Sequence, residues 1–375
     1  MSMKILVCTE NYLMDGLKRA TTVVANELAN RVEINYYTLA DIKPYFDLNA
    51  PLIVAKHPID SGGKSFRGEK PLQKFKQQIR DLATVLAEGD YDVALFTAGL
   101  LTSFTPEIKR RVPDVRVITW MHNNADTYLN NYYAQMKKEF CSGLRAADLV
   151  VTLTEHDLKG FKQFNAQTIK IHNPLTLKSA GKANLENHVI NFTGRIDIQQ
   201  KGIDLLLELA KDLPDNWMLS IAGGGKPDDM EKFKELIQKH DIADKIIYRG
   251  HLNNRELTEN YQNSSIFVMT SRWEGLPLVI GEAMSYGLPV VSMYNTGAEE
   301  YLANGKYGVL LSNHCLPDFY QAIKPLLDSV EERQKYAKLS LKRARDFELK
   351  KITNQWLRLL KGMQRPHKGG QQLAQ

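Results

Sequence analysis

Cysteine is scarce in this chain of 375 residues: Cys8, Cys141 and Cys315 stand far apart, with no CxxC or Cys/His metal spacing among them. A disulfide framework is therefore not expected, and a reducing compartment is. Long apolar runs are missing as well. No stretch reaches about 18 apolar residues, so no membrane-spanning helix is expected. The opening MSMKILVCTENYLMDG holds an apolar run too short for a secretory signal and meets Glu10 and Asp15 early. The expected location is the cytoplasm, or the inner face of the membrane as a peripheral protein. The triplets Asn191-Phe192-Thr193 and Asn263-Ser264-Ser265 are then chance matches to a glycosylation signal. No repeat of roughly 20–50 residues is visible. No GxGxxG follows the first apolar run, which disfavours a nicotinamide oxidoreductase. Dense basic runs interleaved with aromatics are absent too, so nucleic acid is not an expected partner.

The composition is ordinary for a globular protein: 43% hydrophobic and 25% charged, with a net charge of +6. At roughly 150 residues per domain, the length suggests two domains. The mild basic excess gathers at Lys109-Arg110-Arg111 and between Lys56 and Arg80. Solvated helix faces account for it; contact with a membrane leaflet or a phosphate-rich polymer is the sharper alternative.

The pattern alternates between strand-like and helix-like stretches. Ile5 to Cys8, Val93 to Phe96, Val115 to Trp120 and Leu149 to Leu153 read as strands. Helical stretches carry Val23, Val24, Leu28 and Ala29, then Leu72 to Glu88, then Tyr132 to Ala146. After Asn173-Pro174 the period fades, and Leu175 to His188 reads as a linker. A second alternating half follows. Its strands are expected near Val189 to Phe192, Met218 to Ala222, Ile246 to Tyr248, Ile266 to Met269, Pro289 to Ser292 and Val309 to Leu311. Its helices are expected near Gly202 to Lys211, Asp228 to His240, Asn254 to Gln262 and Val279 to Tyr286. Alternation of this kind predicts an α/β fold of parallel sheets covered on both faces. Such sheets bind ligands at the carboxyl ends of their strands.

Two segments carry the chemistry. In SRWEGLPLVIGEAM, Ser271 to Met284, Glu274 sits in a loop with Gly275, Leu276 and Pro277, and Pro277 is placed to open a helix with Leu278. Glu282 falls about one turn into that helix. Both carboxylates then lie near a helix N-terminus, where free N–H groups favour a diphosphate. On spacing alone, one loop acid and one first-turn acid explain the pair equally well. In NFTGRIDIQQKGIDLLLELA, Asn191 to Ala210, Arg195 and Lys201 flank a loop between a strand and a helix. Arg grips phosphate oxygens bidentately and Lys acts as a point charge. Together they are able to neutralise a diphosphate leaving group. Asp90-Tyr91-Asp92 reads as a turn before a strand, and no other acid cluster suggests a hard-metal site.

The segment EGLPLVIGEAMSYGLPVV, Glu274 to Val291, resembles the Glu-x7-Glu signature of glycosyltransferase family 4. Gly194-Arg195 with Lys201-Gly202 resembles that family's Gly-Arg…Lys-Gly pattern. Lesser matches fall in order: Asp15-Gly16 at the first Gly-rich loop, TWMHNN with His122, IHNPL at the domain border, AGGGK with Gly223, RGHL with Arg249, and Thr296-Gly297 with Glu300. The resemblance spans about residues 1 to 360 and is thin between Tyr36 and Arg116. It implies the GT-B fold, two facing Rossmann-like domains with a last helix crossing back. The expected boundaries are 1–180 for the acceptor-side domain, 181–346 for the nucleotide-sugar domain, 347–362 for the returning helix and 363–375 for a disordered tail.

The resemblance also implies a reaction: retaining transfer of a hexose or N-acetylhexosamine from a nucleotide diphosphate-sugar, UDP-sugar by family precedent. The acceptor class it suggests is a cell-surface glycan, a teichoic-type polymer or a lipid-linked sugar. It assigns no metal and no cofactor. Glu274 would contact the donor sugar, Glu282 the ribose, Arg195 and Lys201 the diphosphate, and His122 the cleft near the sugar. Gly16, Gly223, Arg249, Gly275, Leu276, Pro277 and Leu278 complete the expected donor site. Two alternatives remain: a nucleotide-sugar epimerase of the same fold, and a silent sugar-nucleotide-binding partner of another transferase. The oligomeric state is not legible.

Overall fold

The computed structural model describes residues 3–60, 66–177 and 181–363. Residues 364–375 of the tail expected over 363–375, and residues 178–180 of the expected linker, lie outside them. The chain divides into two compact units, Met1–His172 with Leu349–Gln375, and Asn173–Glu348.

Among the described residues of the first unit, seven strands form one sheet. They are β1 (Lys4–Thr9), β2 (Glu33–Thr38), β3 (Leu52–Val54), β4 (Val93–Thr97), β5 (Arg116–Trp120), β6 (Leu149–Thr152) and β7 (Thr168–Lys170). The order is β3-β2-β1-β4-β5-β6-β7, and every pairing is parallel. VALFT in β4 and LVVT in β6 are buried at every position. Continuous apolar runs, rather than alternation, are what a sheet covered on both faces requires. Leu6, Phe96 and Val117 from the strands join Leu82, Phe104 and Phe140 from the helices in one core. The helix Leu349–Lys361 buries Ile352, Trp356 and Leu360, four positions apart, against this unit. The rings of Trp356 and Trp120 lie 4.7 Å apart. Full burial of side chains this size stabilises by about 2–3 kcal/mol each.

The second unit repeats the plan with six described strands: β8 (Val189–Thr193), β9 (Met218–Ala222), β10 (Ile246–Gly250), β11 (Ile266–Met269), β12 (Val290–Ser292) and β13 (Val309–Leu310). Their order is β10-β9-β8-β11-β12-β13, again parallel. In each sheet the order reverses beside its first strand, between β1 and β4 and between β8 and β11. Ligands of such sheets sit in the crevice outside the carboxyl ends at that reversal.

Several expected elements differ. The helix expected over Leu72 to Glu88 is two, Pro71–Lys74 and Lys76–Glu88, because Phe75 leaves helical geometry to pack its ring toward Phe104 in the core. The stretch Tyr132 to Ala146 is helical only from Lys137. Before it, a π turn and a 3-10 turn cluster the rings of Tyr128 and Tyr133 with Phe140, which outweighs a regular helix. The helix Ala98–Arg111 gave no amphipathic signal because Ala98 through Thr105 are all buried. The helix expected from Gly202 is preceded by a short one, Ile198–Lys201. The expected linker is partly tied down: the backbone N–H groups of Ala183 and Asn184 donate to Tyr286 and Gln262. Asp92, in the Asp90-Tyr91-Asp92 triplet, accepts the Lys4 N–H at 2.9 Å through its side chain, joining the amino ends of β1 and β4. No described helix is long and apolar enough to cross a membrane.

Candidate functional site

In the second unit, the loops after β8 and β11 meet at the strand-order reversal. After β8 the chain passes Gly194 and Arg195 and enters the short helix Ile198–Lys201, capped by the Asp197 side chain on the Gln200 N–H at 2.8 Å. Gly202 then turns with φ +63°, and a Cβ there would stand 2.3 Å from the Thr270 carbonyl oxygen. Only glycine fits that approach. Thr270, just past β11, donates its hydroxyl to the Lys201 carbonyl at 2.9 Å.

This close approach brings the two motifs together. Lys201 Nζ donates to Glu274 Oε1 at 2.5 Å, with both side chains nearly buried. Taking two charges out of water is costly, so such a pair holds only when each charge compensates the other. Arg195 is different: its side chain is 60% exposed, and Nη2 donates to Gln200 Oε1 at 2.8 Å. The site thus presents a compensated ammonium–carboxylate pair beside an open guanidinium.

Arg272 staples the loops. Its guanidinium donates to the carbonyls of Ile198 and Gln199 at 3.0 and 3.1 Å and grips Asp204 through two bonds of 3.0 and 2.7 Å. Thr296 Oγ1 donates to the Glu274 carbonyl at 3.1 Å. A Cβ on Gly297 would stand 2.4 Å from the Gly275 oxygen, so this backbone packs directly beneath the Glu274 loop. Sequence reasoning missed Gln200, Asp204 and Arg272 as supports. Arg272 lies inside the SRWEG segment, but nothing in its spacing points to Asp204.

The remaining expected residues of this unit scatter around that centre. Gly223, with φ +141°, lies where a Cβ would come within 1.8 Å of the Gly194 oxygen. Gly275 and Pro277 are buried, Leu276 is 4% exposed, and Leu278 is half-buried. Pro277 is the N-cap of the helix Leu278–Ser285 rather than its first residue. Glu282 is buried in that helix; Thr176 Oγ1 donates to its Oε1 at 2.7 Å, and Tyr261 OH to its Oε2 at 3.1 Å. Arg249 is exposed on the edge strand β10, whereas His251 packs on Gly224 of the Gly-rich turn.

Gly16 and His122 belong to the first unit. Gly16 is exposed as the first residue of the helix Gly16–Leu28, which is capped by Asp15 Oδ1 on the Lys18 N–H at 2.7 Å. His122 follows β5. Its Nε2 lies 3.5 Å from Thr21 Oγ1, its ring packs tilted against Trp120 with centroids 4.4 Å apart, and its buried Nδ1 has no partner. Burial, aided by the Lys18 charge, pushes its pKa down to about 3, so the imidazole is neutral at neutral pH. Among the described residues, no group of three or more His, Cys, Asp or Glu is placed to hold a metal ion.

Residues 176–343 match the family model described as glycosyl transferases group 1. An uncharacterized glycosyltransferase of Haemophilus influenzae is 27% identical over 92% of this chain and 96% of its own length. The amylovoran biosynthesis glycosyltransferase AmsD of Erwinia amylovora is 24% identical over 91% of this chain and 94% of its own length. The solved structure of Anabaena HepE in complex with UDP-glucose superposes with a TM-score of 0.77 at 16% identity, covering 96% of this chain and all of that one (100%). The fold is GT-B. Two Rossmann-like units of seven and six strands are the GT-B architecture expected from the sequence. The match to the second unit and the GT-B fold together support a glycosyltransferase. Arg195, Lys201, Glu274 and Glu282 all lie inside the matched residues.

Proposed function

We propose that this protein is a retaining glycosyltransferase that moves a hexose or N-acetylhexosamine from a UDP-sugar to an acceptor hydroxyl, with protein cations in place of a metal. The observation that carries the reading is the joining of Lys201 to Glu274 at the β8/β11 reversal, with Arg195 open beside them. HepE, which shares the fold, was solved with UDP-glucose, and this supports the donor class.

In the reaction, the bond from the sugar C1 to the departing phosphate oxygen breaks. A bond from C1 to the acceptor oxygen forms on the same face. The hydroxyl proton passes to the departing phosphate oxygen, and UDP and a glycoside leave. Charge grows on the diphosphate as its bond to C1 stretches. Arg195 meets that charge from its exposed position, and Lys201 meets it on exchanging Glu274 for the phosphate, so both countercharges come from the protein. Glu274 loses its ammonium partner to the phosphate and turns its carboxylate to a sugar hydroxyl. Glu282, fixed by Thr176 and Tyr261, takes the ribose hydroxyls. The acceptor is a cell-surface glycan, a teichoic-type polymer or a lipid-linked sugar, the classes implied by the resemblance to family 4. The site of action is cytoplasmic or peripheral at the membrane.

The test is UDP release from UDP-glucose and other UDP-sugars, with and without a chelator, followed by proton NMR of the product's anomeric centre. Unchanged turnover with chelator and an α-linked product are the expected results. Loss of activity on chelation, or a β-linked product, refutes the mechanism. Donor conversion to an isomer without acceptor identifies an epimerase instead.

A further inference from the structure

Gln200 lies in the short helix Ile198–Lys201, next to Lys201, and is 6% exposed. Glutamine is seldom buried unless its polar atoms find partners. Here each of them does. The backbone N–H donates to Asp197 Oδ1 at 2.8 Å, and the backbone carbonyl accepts the Arg272 N–H at 2.8 Å. In the side chain, Oε1 accepts Arg195 Nη2 at 2.8 Å, and Nε2 donates to the Trp273 carbonyl at 3.4 Å. A guanidinium only donates and a carbonyl only accepts, so the two partners fix which end of the amide faces which. One buried amide thus spans from the guanidinium after β8 to the residue that precedes Glu274.

The two cations of the site are held in different ways. Lys201 is nearly buried and is placed by the Glu274 carboxylate. Arg195 is 60% exposed, and Asp197 Oδ2 stands 3.9 Å from its Nη1, beyond hydrogen-bonding distance. What holds its guanidinium is the neutral oxygen of Gln200. An exposed arginine without such a partner samples many rotamers, and ordering it when a ligand arrives costs conformational entropy. A donor fixed beforehand avoids that cost as charge develops. The second bond of the amide adds a spacing: the guanidinium is tied to the backbone that carries Glu274.

We propose that Gln200 is a positioning residue, holding the Arg195 guanidinium toward the departing diphosphate and at a set distance from the Glu274 loop. The proposal rests on the transferase reading for the diphosphate. Gln200 acts through Arg195 and touches no reacting atom. In a UDP-sugar the charge on the departing oxygen appears as its bond to C1 breaks, so the effect falls on kcat more than on KM. Free UDP already carries that charge, so its affinity follows kcat.

The experiment compares the full chain with Gln200→Met, Arg195→Ala and the double variant. UDP release from UDP-glucose and other UDP-sugars gives kcat and KM, calorimetry gives UDP affinity, and melting curves follow the fold. Gln200→Met is expected to lower kcat and UDP affinity about tenfold each, the scale of one hydrogen bond to a charged group, with KM within about twofold. In the Arg195→Ala background the same change is expected to move neither quantity by more than about twofold. A glutamine that only supports the fold costs the same in both backgrounds, and equal costs overturn the proposal. Parental kcat in Gln200→Met overturns it too. Where Gln200→Met does not fold, Gln200→Asn, whose amide is one methylene short, runs the same cycle under the same criteria. Turnover in the parent without coupling leaves the transferase standing and removes this role. Coupling in UDP affinity without turnover of any UDP-sugar keeps the role at the diphosphate and removes the transferase. A parent that neither binds UDP nor consumes a UDP-sugar overturns both.

Discussion

The ammonium of Lys201 and the carboxylate of Glu274 meet at 2.5 Å although 73 positions separate them in the chain. Each is nearly buried, and each is the other's compensation. Lys201→Ala therefore strands a buried charge and is expected to destabilise the second unit by about 3 kcal/mol. Adding Glu274→Ala to that variant is expected to recover part of the loss, since the stranded charge goes with it. Thermal unfolding of the two single variants and the double variant checks this; strictly additive losses contradict the coupling.

Arg195 separates catalysis from stability. Its guanidinium is mostly exposed, so Arg195→Ala is expected to change stability by no more than about 0.5 kcal/mol. Its loss at the leaving diphosphate is expected to lower kcat/KM by about 2–4 kcal/mol in transition-state terms. Steady-state kinetics beside a melting curve read both quantities. Near-normal turnover in both Arg195→Ala and Lys201→Ala removes the proposed leaving-group chemistry.

Two glycines with positive φ make a graded pair. At Gly250, φ +64°, no atom lies within 4 Å of an added Cβ, so Gly250→Ala costs only the backbone strain, about 1 kcal/mol. At Gly223, φ +141°, the added Cβ lies 1.8 Å from the Gly194 oxygen, so the turns after β8 and β9 must separate. Gly223→Ala is expected to cost at least about 3 kcal/mol and to weaken nucleotide binding. Denaturant unfolding and calorimetry with UDP compare the two; equal effects contradict the close approach.

The first unit holds two groups with opposite pH signatures. Glu10 has a folded pKa of about 7, above its ordinary 4.5. The stability this contributes is complete below about 4.5 and is lost as pH rises through 7. His122 has a folded value of about 3, below its ordinary 6.5, so its contribution is present above 6.5 and is lost as pH falls toward 3. Glu10→Gln is expected to gain on the parent by roughly 1–2 kcal/mol between pH 4.5 and 7, after discounting for solvent screening. His122→Asn is expected to flatten the loss on the acid side. Urea unfolding across that range tests each; parallel curves for parent and variants contradict the burial of these groups.

Much of the fold was legible before any coordinates. Each strand of the second half lies within a residue or two of where its apolar run places it; for β8, β9, β11 and β12 the run follows from burial on both faces of the sheet. The helix Ala98–Arg111 was not legible, since burial on all sides erases the amphipathic period that marks a helix. Phe75 and Tyr133 break expected helices for a similar reason: their rings are claimed by a core assembled from distant segments.

The sequence by itself determined the local matters: the alternating elements, the turn glycines, and the presence of Arg195, Lys201, Glu274 and Glu282 in recognisable segments. Only the tertiary structure decided that β8 pairs with β11, and so that Lys201 touches Glu274 while Thr176 and Tyr261 hold Glu282. It alone disclosed the grip of Arg272 on Asp204 and the place of Gln200 between Arg195 and the Trp273 carbonyl. Periodicity and turn chemistry act over a few residues and can be read along the chain. Strand order and side-chain pairing arise from contacts across long separations, and no short stretch of sequence encodes them.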